Sequence, residues 1–115
     1  MRWNQAEAIK LCREVERVYP DFGCHVALTG GCLYKDGSRK DLDLLFYRIR
    51  QAAAIDIEGL FAALAVLGIE RVGGGGWVIK ATWRGHASID CFFPEVPSGC
   101  YAPPPPDVRD LEDFI

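Results

Sequence analysis

The sequence predicts an α/β domain of the α+β kind, with a mixed, mainly antiparallel sheet of four or five strands backed by two helices. Three observations carry this. Residues 4–18 and 56–67 repeat apolar side chains at helical spacing. Residues 26–29, 41–47, 77–83 and 87–93 are short runs of strand length bounded by glycine, proline or charged turns, with a further short run at 69–72. The chain has 115 residues, enough for one hydrophobic core and not for two.

Composition narrows the class. Half of the residues are hydrophobic and a quarter charged, the balance of a globular protein. The net charge of -3 argues against a general nucleic-acid-binding face, which needs a basic surface to neutralise phosphates. The chain has no apolar run long enough to span a membrane, and Asn4, Glu7, Lys10 and Glu14 interrupt the first apolar residues, so neither a membrane span nor a signal peptide is expected and the expected setting is cytoplasmic. The five cysteines form an odd set without C-x-x-C spacing, so they are expected to be reduced and mostly buried, with Cys32 the best placed to be exposed.

Taken in order, Asn4 is an N-cap with Glu7 three residues on, close to a capping box. Ile9, Cys12, Val15 and Tyr19 follow on one helical face, and Pro20, Asp21 and Gly23 end the helix. Val26 to Thr29 is a short strand running into Gly30 and Gly31, where missing side chains let a backbone approach a ligand closely. A short helical turn through Cys32, Leu33 and Tyr34 would then aim free N–H groups at an anion. The next loop, KDGSRK, reads as a solvated turn carrying three cations, Lys35, Arg39 and Lys40.

Asp41 to Tyr47 is the strand with chemistry in it. Alternate side chains share a face, so Asp41 and Asp43 point the same way about 6.5–7 Å apart. Two carboxylates held that close repel unless a cation sits between them, and a hard divalent ion such as Mg²⁺ suits oxygen ligands that leave positions open for water and phosphate. After a loop, Ile57, Leu60, Phe61, Leu64 and Leu67 form the apolar stripe of a second helix stopped by Gly68. Ile69 to Val72 is a short strand. Gly73 to Gly76 read as a flexible hairpin connection, since phosphate loops open into helices and this run opens into the strand-like Trp77 to Trp83. Arg84-Gly85 makes a tight turn into Ala87 to Phe93, where Asp90 stands among Ile89, Cys91, Phe92 and Phe93. An acid in that company needs a partner or a metal.

The order of strand, Gly30-Gly31, polar interval and Asp41-Leu42-Asp43-Leu44 resembles the nucleotidyltransferase superfamily that includes DNA polymerase beta, tRNA nucleotidyltransferases, aminoglycoside nucleotidyltransferases and small stand-alone antitoxin-like domains. The likeness covers about residues 24 to 93. It implies a nucleotidyltransferase-like fold and transfer of a nucleoside monophosphate from a nucleoside triphosphate to an acceptor hydroxyl. It implies Asp41, Asp43 and Asp90 as catalytic ligands of Mg²⁺ or Mn²⁺, and Gly30, Gly31, Arg39 and Lys40 as nucleotide-binding residues. One departure is Lys40, which stands where relatives often have serine before the first aspartate. Two competing readings are a catalytically silent binding module of the same fold, such as an inhibitor or assembly subunit, and a structural subunit whose acid pair is only a solvated edge.

Beyond Phe93 the chain becomes a proline-rich linker, with Pro103 to Pro106 at its centre, and then a short acidic tail in which Val108, Leu111 and Phe114 fall at roughly helical spacing. The expected boundaries are a domain at 1–96 and a linker with tail at 97–115. The acceptor is unspecified, and the tail is the expected means of self-association or of joining a partner protein.

Overall fold

A computed structural model describes residues 2–17, 22–35, 37–50 and 52–95. The expected proline-rich linker and acidic tail, Tyr19, Pro20, Asp21 and Cys100 lie outside the described residues. The elements are α1 (Gln5–Glu16), β1 (Cys24–Thr29), α2 (Gly31–Tyr34), β2 (Asp41–Arg48), α3 (Ile57–Val66), β3 (Ile69–Gly75), β4 (Val78–Trp83) and β5 (Ala87–Phe92). The strands form one five-stranded sheet in the order β1-β2-β5-β4-β3. Its pairs are antiparallel except β2 with β5, whose parallel pairing requires the long crossover that contains α3. The expected fold class is the observed one.

Each helix starts where its capping residue places it. Asn4 Oδ1 accepts from the Glu7 N–H at 2.8 Å while Glu7 Oε1 accepts from the Asn4 N–H at 3.3 Å, a complete capping box. Asp56 caps α3 by accepting from the Gly59 N–H at 3.0 Å. Gly68, at φ +92°, turns the chain out of α3 into β3. The stripe predicted for α3 is the one that packs: Leu60, Phe61 and Leu64 are buried, with Ile57 and Leu67 against them.

The face predicted for α1 is corrected. Ala8, Leu11 and Val15 are buried, Cys12 is half-buried, and Ile9 is exposed. One residue advances a helix by about 100°, so a stripe centred on Ala8 and Leu11 carries Ile9 round to solvent. The glycine run is corrected as well. Gly73, Gly74 and Gly75 are part of β3, paired to Lys80, Ile79 and Val78, and only Gly76 and Trp77 form the turn. Ladder hydrogen bonds use backbone groups alone, so a strand can continue without side chains, and a register shift between Arg71 and Gly73 absorbs the irregularity. At the other hairpin, three residues join Trp83 to its partner Ala87; Arg84 and Gly85 have φ of 53° and 74°, and the His86 N–H donates to the Trp83 carbonyl at 3.1 Å to close the turn.

The core lies on one face of the sheet. Leu42, Leu44 and Phe46 of β2, Ile89 and Cys91 of β5, and Ile79 and Ala81 of β4 are buried and cluster with the apolar stripes of α1 and α3. Phe46 stacks on Phe93 with ring centroids 4.9 Å apart. Trp3, which precedes α1, is 1% exposed; its indole N–H donates to the Ser88 carbonyl at 3.0 Å, and its backbone forms a two-way bridge with Arg39. That bridge pins the loop entering β2. Among the described residues no helix is long and apolar enough to cross a membrane.

Candidate functional site: the acidic face of the sheet

Alternation on the same strands puts the remaining side chains on the face away from the core. Asp41 and Asp43 are half-buried between the buried Leu42 and Leu44. Parallel pairing of β2 with β5 sets Asp43 directly opposite Asp90, and Asp41 opposite Ser88. Directly paired residues in a sheet project to the same side, so the three predicted acids share one face. Thr29, the last residue of β1, is paired to Asp43, so Gly30 begins where the acids are.

Gly30 is required there twice over. Its φ of 69° and ψ of -154° fall in a region that residues with a Cβ avoid. A Cβ built on it would sit 2.0 Å from Asp43 Oδ2, inside any allowed contact. The turn therefore passes directly against the carboxylate, and α2 follows as the short helical turn expected from the sequence. A Cβ on Gly31 would lie 3.1 Å from Arg39 Cδ, so the stem of Arg39 runs across Gly31. Gly30, Gly31 and Arg39 thus lie together beside Asp43, held in part by the Trp3 bridge. Lys40 and Lys35 are exposed, and no described contact brings either onto the acids.

Lys80 is the residue that sequence reading missed. It is paired to Asp90 across β4 and β5, and its Nζ lies 2.7 Å from Asp90 Oδ1. The hydrogen bond that Lys80 donates to Asp90, and then the charge of that carboxylate, push the Lys80 ammonium above its ordinary value. Burial, then the charges of Asp90 and Asp41, hold the Asp43 carboxyl above its ordinary range, with Lys80 pulling the other way. Asp41 and Asp43 make no ion pair among the described residues. Nor do any three His, Cys, Asp or Glu side chains close around one point as a metal-binding group among those residues. The acids share a face, and Asp90 is turned to Lys80.

Cys32 is buried, contrary to expectation, because α2 turns its thiol inward, within 3.6 Å of the Asp41 carbonyl. Burial raises its pKa, as it does for Cys24 and Cys91, each pushed up to about 12, so none is a ready nucleophile at neutral pH. His25 pairs with Glu16, with Nδ1 2.6 Å from Oε1, while the other oxygen of Glu16 accepts from the Val26 N–H. Cavities of about 230 and 420 Å³ border α1 and Arg84, away from the acids. What marks the acidic face is its chemistry, three half-buried carboxylates and one ammonium on one side of the sheet. Compared with known protein families, curated proteins and solved structures, the chain finds no match.

Proposed function

We propose that the acidic face binds a divalent metal ion and a nucleoside triphosphate, and that the protein is a minimal nucleotidyltransferase moving a nucleoside monophosphate to an acceptor hydroxyl. The observation that carries the reading is the position of Gly30, against Asp43 and one residue beyond the strand partner of that acid. A backbone turn without side chains beside carboxylates that share a face is what a metal-bridged triphosphate needs. The donor set fits Mg²⁺ or Mn²⁺, since it consists of carboxylates, one of which is held above its ordinary pKa by burial and then by neighbouring negative charge, and a cation would relieve it.

In this reading Asp41 and Asp43 hold the ion, with Asp90 beside them. The ion would neutralise the triphosphate and stabilise charge as pyrophosphate leaves. Gly30 and Gly31 admit the phosphates to backbone contact. Arg39, laid across Gly31, offers a planar guanidinium to phosphate oxygens, and exposed Lys40 adds a mobile cation on the same loop. The acceptor and the exclusion of water are assigned to a second surface, from a partner protein or another copy of this chain.

The Lys80–Asp90 pair favours one other reading, a silent module in which a tethered ammonium takes the place of turnover. Incubating the full chain with Mg²⁺ and each of the four nucleoside triphosphates labelled at the α-phosphate, with cell extract as the acceptor source, separates the two. The enzyme reading expects pyrophosphate release and label transfer that Asp43→Asn abolishes. Binding without release, equal in wild type and variant turnover assays, would leave the silent module.

A further inference from the structure

Lys80 lies at the acids without having been placed there by any motif. We propose that its ammonium is the resident counter-charge of Asp90, so that the face takes one divalent ion, on Asp41 and Asp43, and none on Asp90. The inference rests on the reading of this face as a metal and triphosphate site.

The register of β4 with β5 sets Lys80 directly beside Asp90, and the 2.7 Å contact is a charge-assisted hydrogen bond at the short end of its range. The Asp90 side chain is only 15% exposed while that of Lys80 is 54% exposed, so the ammonium reaches in from solvent to a carboxylate that water serves poorly. A divalent ion using Asp90 would have to approach a carboxylate already bound to a cation, at separations where like charges repel strongly. Asp41 and Asp43 carry no such occupant among the described residues, and Asp43 faces the glycine turn. The same face thus has two kinds of carboxylate. One pair is open to an exchangeable ion, and the third acid is matched to a tethered one.

Titrating the full chain with Mn²⁺ alone, read by the electron paramagnetic resonance of free Mn²⁺, tests this. Wild type should bind a single ion. Lys80→Met should bind a second ion or hold the first about tenfold tighter, the order expected on removing a like charge a few ångströms away at a half-exposed site. Lys80→Gln, which keeps a polar head, should behave as Lys80→Met does, and circular dichroism should show both folded, since the deleted head group is exposed. Two ions on wild type, or a Lys80→Met titration superimposable on wild type, would overturn the inference. Asp43→Asn separates its failure from that of the underlying reading. If wild type binds Mn²⁺ and Asp43→Asn does not, the acid site stands whatever Lys80→Met shows. If neither wild type nor Lys80→Met binds the ion, site and inference fall together.

Discussion

The two faces of the sheet are built from the same strands and do opposite things. On β2, Leu42, Leu44 and Phe46 are at most 1% exposed, while Asp41, Asp43 and Leu45 between them are half-buried and Tyr47 is exposed. β5 repeats the pattern, with Ala87, Ile89 and Cys91 inward and Ser88, Asp90 and Phe92 outward. The covered face gains stability from packing and has no titratable carboxylate. The other gathers like charges, which cost stability unless a cation offsets them, as Lys80 does for Asp90. A two-residue period lets one strand carry both jobs, and a one-residue slip of register would exchange them.

Changes on the covered face should have the largest effect on stability. Phe46→Ala removes a buried ring stacked on Phe93 and should cost about 3–5 kcal/mol in urea unfolding. A cost below about 1 kcal/mol would mean that the core is not where the fold is held.

On the acidic face the largest effect should be on activity. Asp43→Asn should lower pyrophosphate release by more than about a hundredfold, since even outer partners of metal ligands are worth 10–100-fold. Its effect on stability should run the other way. The folded pKa of Asp43 is raised, so the folded state favours the protonated acid. Wild type should therefore lose stability as pH climbs from the unfolded value, about 3.9, through the folded one, and Asp43→Asn should not. Without metal, the variant should melt at or above the wild-type temperature at pH 7 and show no such advantage below pH 3. A variant less stable at pH 7 would mean that the carboxylate has a partner here.

Gly30→Ala joins the two kinds of effect. Its backbone conformation alone should cost about 1–3 kcal/mol, and its methyl group would displace the Asp43 carboxylate, so metal and triphosphate binding should weaken with stability. Gly31→Val should be milder for the fold, because it meets the flexible stem of Arg39, and should act mainly on triphosphate affinity measured by calorimetry. The smallest effect belongs to Asn4→Ala, whose lost side chain bonds to the Glu7 N–H and to none of the acids, and which should cost about 1 kcal/mol with ion binding unchanged.

Period explains what could be read in advance. Asp41 and Asp43 share a face in any strand, and Asp90 stood out as an acid among apolar neighbours. Lys80 gave no such signal, because a lysine alternating with apolar residues is an ordinary outward side chain until the register with β5 is known. That register is set by the turn between Trp83 and Ala87, and the place of Asp90 beside Asp43 by the crossover through α3, so the meeting of Lys80 with the acids is visible only in the folded sheet. Ile9 was misplaced because Ile9 and Cys12 fit a helical stripe as well as Ala8 and Leu11 do, and only packing on β1 decides between them. The glycines of β3 carry no side-chain pattern at all, and their pairing to β4 is visible only in the ladder. Trp3 carries no local signal, because its role is to bridge Arg39, distant along the chain.

The central claim is that the bare face holds an ion and a triphosphate together, and a crystal structure of the full chain soaked with Mg²⁺ and non-hydrolysable nucleoside triphosphates tests it most directly. The account predicts an ion on Asp41 and Asp43, phosphates against Gly30 and Gly31, and the Arg39 guanidinium turned to the phosphates. Phosphates bound elsewhere, or an acidic face left without an ion at saturating Mg²⁺, would contradict it.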